Sequence, residues 1–159
     1  MTTTADPSSN TITWLASSDG SAVPNPGRMG LGAVLVAPDG RRWTLSHAPH
    51  GDGCNNEAEA RAVAWVFAEA RRHGATALRL QCDNSLVVEQ LTAAAPPPVA
   101  RLTALFDALR AGAAGFVALT VVWVPRHRNG EADALARAAL GLGPKAGPTP
   151  KQLRRRHRR

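Results

Sequence analysis

Four acids in this chain stand where acids are costly. Asp19 and Asp83 close apolar runs (TITWLASSD and ALRLQCD), while Glu59 and Asp133 extend stripes of apolar residues at helical spacing. Glu59 lies four residues before Val63 and seven before Val66; Asp133 lies three before Ala136 and seven before Leu140. That spacing aims both along a helix face directed at a sheet rather than at water. A carboxylate in such a place is destabilised unless something positive compensates it. Converging carboxylates also repel one another, and a hard divalent cation with oxygen ligands relieves the repulsion. The chemistry expected of this set is metal-dependent hydrolysis. Glu57 and Glu131, each two positions away, fall on other helix faces and act as internal controls. Taken singly, each acid has a plainer explanation, as a first-turn complement to a helix dipole or as a turn former.

The elements that must position these acids can be read from periodicity and punctuation. Residues 11–18 read as a strand ending at Asp19-Gly20, residues 30–37 (GLGAVLVA) as a second, and residues 42–47 as a third after the Pro38-Asp39-Gly40 hairpin signal. Asn55-Asn56 is expected to cap a helix reaching about residue 73, striped by Val63, Val66, Phe67 and Ala70 and ended by Gly74. A strand over 76–82 leads to Asp83 and a helix to about residue 91. Pro96-Pro97-Pro98 forces a break before a helix over 99–111 with Leu102, Leu105, Phe106 and Leu109 on one face. Residues 116–124 form the most strand-like run, and Asn129 is expected to cap a last helix over 130–140. The order β-β-β-α-β-α-α-β-α predicts an α/β fold with a mixed sheet and helices on its faces. If the first and fourth strands are parallel neighbours, Asp19 and Asp83 emerge together at one carboxyl edge, where α/β sheets bind ligands.

A chain of 159 residues predicts a single core. The formal charge of +7 is unevenly placed: all 12 acids and 12 of the 19 Lys and Arg precede Pro144, so the body is neutral and the excess sits in the last fifteen residues. Residues 1–10 are expected to be disordered, 11–142 to form the domain, and 143–159 to be a basic disordered tail. Cys54 and Cys82 are too few for a disulfide framework and lack metal-ligand spacing, which predicts reduced thiols. The opening MTTTADPSSN lacks the features of a secretory signal, and no apolar run approaches bilayer-spanning length. The expectation is a soluble, cytoplasmic monomer.

The residues flanking the four acids narrow the reading. Ser18-Asp19-Gly20-Ser21 with Asn25-Pro26-Gly27 resembles the first-strand motif of ribonuclease H type 1. Asn55-Asn56-Glu57-Ala58-Glu59 resembles that family's paired-asparagine motif, whose acid is the last residue. Cys82-Asp83-Asn84-Ser85 resembles its third motif, and Trp123-Val124-Pro125-Arg126-His127 with Glu131-Ala132-Asp133-Ala134-Leu135-Ala136 its final strand and helix. The resemblance runs from about residue 11 to 140 with four motifs in order. It implies a ribonuclease H fold built on a five-stranded mixed sheet, three antiparallel strands plus two parallel. It also implies hydrolysis of the RNA strand of RNA–DNA hybrids by two Mg²⁺ ions, or Mn²⁺ in their place, leaving 5′-phosphate and 3′-hydroxyl ends. By that resemblance Asp19 bridges both metals, Glu59 and Asp83 each hold one, and Asp133 completes the set. His127 takes the place of the family's mobile histidine, which assists proton transfer or product departure. The rival readings are a catalytically silent hybrid- or duplex-binding module on the same fold, and a related nuclease acting on double-stranded RNA.

Reading RNA through its 2′-hydroxyls calls for short polar groups facing a shallow minor groove. The resemblance points to Asn25, Asn55 and Asn56 and to the backbone around Gly20 and Ser21. Asn84 and Ser85 stand where many relatives carry Ser then Gln. Residues 92–99 are only TAAAPPPV, where some relatives carry a basic, Trp-rich protrusion. The terminal run with Lys151, Arg154, Arg155, Arg156, Arg158 and Arg159 could supply a nonspecific phosphate tether in its stead. Truncation after Gly143 is then expected to raise KM for hybrid and flatten its salt dependence while sparing kcat. An identical salt profile in the truncated protein rules the tether out.

Overall fold

The computed structural model describes residues 12–145. Its strands and helices follow in the order β1 (Thr13–Val23), β2 (Gly27–Val36), β3 (Arg42–His47), β4 (Asp52–Gly53), α1 (Asn55–Arg72), β5 (Ala77–Cys82), α2 (Ser85–Thr92), α3 (Thr103–Ala114), β6 (Ala118–Trp123) and α4 (Gly130–Ala139). The sheet runs β3-β2-β1-β5-β6, with the two-residue β4 pairing β2 as a sixth, unforeseen strand. β1, β2 and β3 pair antiparallel, whereas β5 is parallel to β1 and to β6. The expected mixed sheet is present.

One difference concerns β1. The strand was expected to stop at Asp19-Gly20, but pairing with β2 continues through Asp19↔Gly32 to Val23↔Arg28. Asp19 is therefore a residue inside a strand, fixed by ladder hydrogen bonds on the β2 side. Asp83 does follow its strand directly, and the parallel pairing Ser18↔Cys82 places the two acids side by side.

The core forms where the foreseen stripes meet. Val63, Val66, Phe67 and Ala70 on α1 are essentially inaccessible, and they pack with Leu35, Leu78 and Leu80 of the sheet and with Phe106 and Leu109 of α3. Each large buried side chain contributes about 1.5–3 kcal/mol by leaving water. The α3 helix starts later than its apolar spacing implied. Arg101 has φ of 66°, a left-handed conformation that no helix interior accepts, so Leu102 becomes the residue at the helix entry. No helix occupies residues 93–102.

The predicted asparagine caps are replaced by tertiary bonds. Cys54, not Asn55, is the N-cap of α1, without a side-chain bond. Asn55 is already helical, and its Oδ1 accepts from the Ala22 amide at 2.7 Å while its own amide donates to Asn25 Oδ1 at 3.1 Å. Asn129 stands at the entry of α4, yet its Nδ2 donates to the Ser18 carbonyl at 2.8 Å instead of capping. Both asparagines tie a helix start to β1 next to Asp19.

Helix α4 lies on β2 across two glycines. A Cβ at Gly32 would sit 2.1 Å from the Ala132 carbonyl oxygen, and one at Gly30 would sit 2.3 Å from that of Ala136. Gly32→Ala is therefore expected to push α4 off the sheet and lower unfolding free energy by about 1–3 kcal/mol. Denaturant titration checks this, and undiminished stability would show that α4 has room to move.

Candidate active site

Asp19 from β1, Glu59 from the first turns of α1 and Asp83 after β5 converge at the carboxyl edge of β5. One oxygen from each lies within 4.8 Å of the others. Asp19 and Glu59 are buried, and Asp83 is half-buried. The two control acids behave as surface residues: Glu57 pairs with Arg61 at 3.2 Å one helical turn on, and Glu131 accepts from Arg42 on β3 at 2.6 and 2.8 Å. Asp133 departs from expectation. The buried residues of α4 are Ala132 and Ala136, so Asp133 sits on the flank of the helix, half-exposed to the cleft. It is not part of the three-acid cluster, and Lys145 Nζ lies 3.3 Å from its Oδ1.

The cleft above these acids is open and polar. It is lined by the backbone at Gly20 and Ser21, by Asn55, Asn56 and Asn84, and by the cations Arg126 and Lys145. Both ends of the Asn84 amide are engaged: its Oδ1 caps α2 by accepting from the Val87 amide at 3.1 Å, and its Nδ2 donates to Asn56 Oδ1 at 2.9 Å. That bond occupies the Asn56 amide oxygen, and among the described residues no acceptor is found for its amide nitrogen. Asn25 braces the α1 start from outside the cleft, and Ser85 is exposed on α2, also outside it. His127 sits on an exposed 3-10 turn, Arg126–Arg128, beside the cleft-lining Arg126. Trp123 is half-exposed, with its indole nitrogen donating to the Asp83 carbonyl at 3.1 Å. Lys151, Arg154, Arg155, Arg156, Arg158 and Arg159 lie outside the described residues.

Burial governs the charge state of the cluster. The Glu59 carboxyl is held far above its usual range, first by burial and then by the neighbouring Asp19 charge. Asp19 is pushed up to about 6 by burial, with Asp83 and Asp133 adding to the effect and a hydrogen bond from Glu59 opposing it. Without a cation, then, the pair holds a proton near neutral pH, Glu59 donating it toward Asp19. Glu59 Oε2 is buried with no hydrogen-bond partner. An orphaned carboxylate oxygen beside two further acids is the donor set of a hard, oxygen-seeking dication. Cys82 lies directly beneath, but burial pushes its thiol up to about 12, so it contributes neither thiolate ligand nor nucleophile.

Residues 17–139 match the family described as reverse transcriptase-like. The chain superposes on the crystal structure of RNase H1 from the halophilic archaeon Halobacterium salinarum with a TM-score of 0.74 and 33% identity, covering 81% of this chain and 98% of that one. This chain belongs to the ribonuclease H type 1 family. The N-terminal RNase H domain of Rv2228c from Mycobacterium tuberculosis is similar at 32% identity and a TM-score of 0.75, over 82% of this chain and 94% of that one. LC11-RNase H1, crystallised in complex with an RNA/DNA hybrid, is 25% identical with a TM-score of 0.72, over 80% and 96%. By sequence the chain spans only 34% of the full-length bifunctional Rv2228c and 61% of the Halobacterium ribonuclease HI, at 34% identity to each.

Within the ribonuclease H frame, two groups at the cleft escaped the sequence reading. Lys145 was grouped with the tail by composition, and Asn129 was read as a cap. Gly30 and Gly32 did carry a signal: two glycines at strand period mark one face where another backbone comes close.

The raised carboxyls have a sign that can be tested. Because their folded pKa values exceed the unfolded ones, they favour the folded state below about pH 4, and that contribution is lost as pH rises through about 6 and beyond. Metal-free protein is expected to melt several degrees lower at pH 7.5 than at pH 5, with Glu59→Gln flattening the slope. Saturating Mg²⁺ or Mn²⁺ should raise Tm more at pH 7.5 than at pH 5, because binding must release protons. Calorimetric melting checks both, and greater metal stabilisation at pH 5 would contradict the assignment.

Proposed function

We propose that this protein is an endoribonuclease that hydrolyses the RNA strand of RNA–DNA hybrids, leaving 5′-phosphate and 3′-hydroxyl ends. The observation that carries the reading is the convergence of Asp19, Glu59 and Asp83 from three separate elements under an asparagine-lined cleft. Asp19, Glu59 and Asp83 would hold the divalent cations, two Mg²⁺ per site with substrate or Mn²⁺ in their place, with Asp133 completing the set from α4. Cations there supply activation of water and neutralisation of the charge developing on the leaving 3′-oxygen.

The remaining roles belong to the chain's own groups. Asn56 lines the cleft with its amide oxygen taken by Asn84, which leaves its amide nitrogen to donate to a 2′-hydroxyl of the RNA strand. The Gly20 and Ser21 backbone and Asn55 line the same wall, so the strand bearing hydroxyls is the one laid over the acids. In this reading Asn25, Asn84 and Ser85 act through the architecture around the strand, and Arg126 offers a cation to a backbone phosphate. His127, exposed on its short turn, would move a proton or ease product departure. In this reading the domain spans residues 11–142, with residues 143–145 also held against α4, and it acts as a monomer in the cytoplasm. No helix among the described residues is long and apolar enough to cross a membrane.

The deciding assay offers end-labelled RNA–DNA hybrid, double-stranded RNA and double-stranded DNA with Mg²⁺ or Mn²⁺. Wild type is expected to cut only the RNA of the hybrid, and Asp83→Asn to lower turnover by more than about a hundredfold. Hybrid cleavage undiminished in Asp83→Asn would refute the mechanism, and preferential cutting of double-stranded RNA would refute the substrate.

A further inference from the structure

Lys145 reaches the cleft by a defined path. After α4 the chain reverses at Gly141, whose φ is +72°. The Leu142 amide donates to the Arg137 carbonyl at 2.9 Å, and Arg137 Nε donates to the Gly143 carbonyl at 2.8 Å. These bonds run the segment back along α4, first past Arg137 and then, one turn nearer the helix start, to Asp133. There Lys145 Nζ stands 3.3 Å from Asp133 Oδ1 and lines the same cleft as the three clustered acids. Residues 143–145 thus lie against the folded body, although their composition placed them in the tail.

The placement divides the four acids unequally. Asp19, Glu59 and Asp83 share one neighbourhood, none of them forms an ion pair among the described residues, and Glu59 Oε2 has no partner. Asp133 lies at the edge of that group, near enough to act on Asp19, and it is the acid with an ammonium on it. We propose that Lys145 is a tethered counter-cation for Asp133, and that it sets how strongly the Asp133 side of the cleft takes up a divalent cation. The proposal rests on the cation-binding reading of the cleft given above. A dication approaching Asp133 must displace the ammonium from Oδ1 or bear its repulsion, which acts over a few ångströms in a partly screened cleft. Lys145 can be displaced because its side chain is more than half exposed and ends in a flexible stem. The three clustered acids fill first, and the Asp133 side is the weaker, salt-sensitive position.

Mn²⁺ binding to the metal-stripped, full-length protein tests this without nucleic acid or turnover, by electron paramagnetic resonance of free Mn²⁺. Wild type, Lys145→Gln, Lys145→Arg and Glu59→Gln are compared at low and high ionic strength. Lys145→Gln is expected to tighten the weaker Mn²⁺ site about three- to tenfold at low salt, with the gain shrinking at high salt. Lys145→Arg, which keeps the charge, should stay near wild type. A Lys145→Gln isotherm superimposable on wild type overturns the proposal. Glu59→Gln separates the two levels: it should lose the tighter Mn²⁺ site whatever Lys145 does. If Glu59→Gln binds Mn²⁺ as wild type does, the cation reading of the cleft falls, and the Lys145 proposal falls with it.

Discussion

Nothing larger than hydrogen fits at position 20. A Cβ there would lie 2.3 Å from the Ala58 carbonyl carbon and 2.4 Å from the Glu59 nitrogen, so α1 meets β1 backbone to backbone. That contact delivers Glu59 beside Asp19, one residue earlier on the strand. The asparagine bonds build on it: Asn55 reaches the Ala22 amide and Asn129 the Ser18 carbonyl only because the helix starts are drawn this close to β1. On the other side of β2, Gly30 and Gly32 repeat the device for α4 and bring Asp133 to the same cleft.

The cluster so assembled works against folding, and the packing around it must offset that. Along α1, Glu59 is followed by Val63, Val66, Phe67 and Ala70, all sealed in the main core. The helix is held by its lower half while its first turn carries an acid into a place that acids resist. A domain's whole stability is on the order of 5–15 kcal/mol, so raised carboxyls are a tolerable but not a trivial cost. This division between a well-packed end and a costly acidic end follows from placing acids together at one edge of a sheet.

Much of this was legible because the four acids break the pattern that surrounds them. Helical spacing separated Glu59 from Glu57, and the structure pairs Glu57 with Arg61 on the surface while burying Glu59. The same spacing was less reliable for Asp133: α4 is so short and alanine-rich that its buried face is set by where Gly30 and Gly32 let it approach, and Asp133 turns to the flank. The extension of β1 past Asp19 was hidden because Gly20-Ser21 reads as a turn locally, and only pairing with β2 keeps it extended. Arg101 with positive φ, which delays α3, and the return of residues 141–145 along α4 are likewise products of tertiary contact. Capping asparagines were misread for a related reason: an amide at a helix start can bond its own helix or a neighbouring strand, and the short distance to β1 selected the strand.

The two ends of the described chain are far from equivalent neighbours of the cleft. β1 begins at Thr13, six residues before Asp19, which at about 3.3 Å per residue sets the amino end roughly 20 Å from the acids. At the other end Lys145 stands in the cleft wall itself. Residue 146 therefore joins the fold at the rim of the cleft, so any charge or bulk the chain carries next to Lys145 starts beside Asp133 rather than at a distance from it.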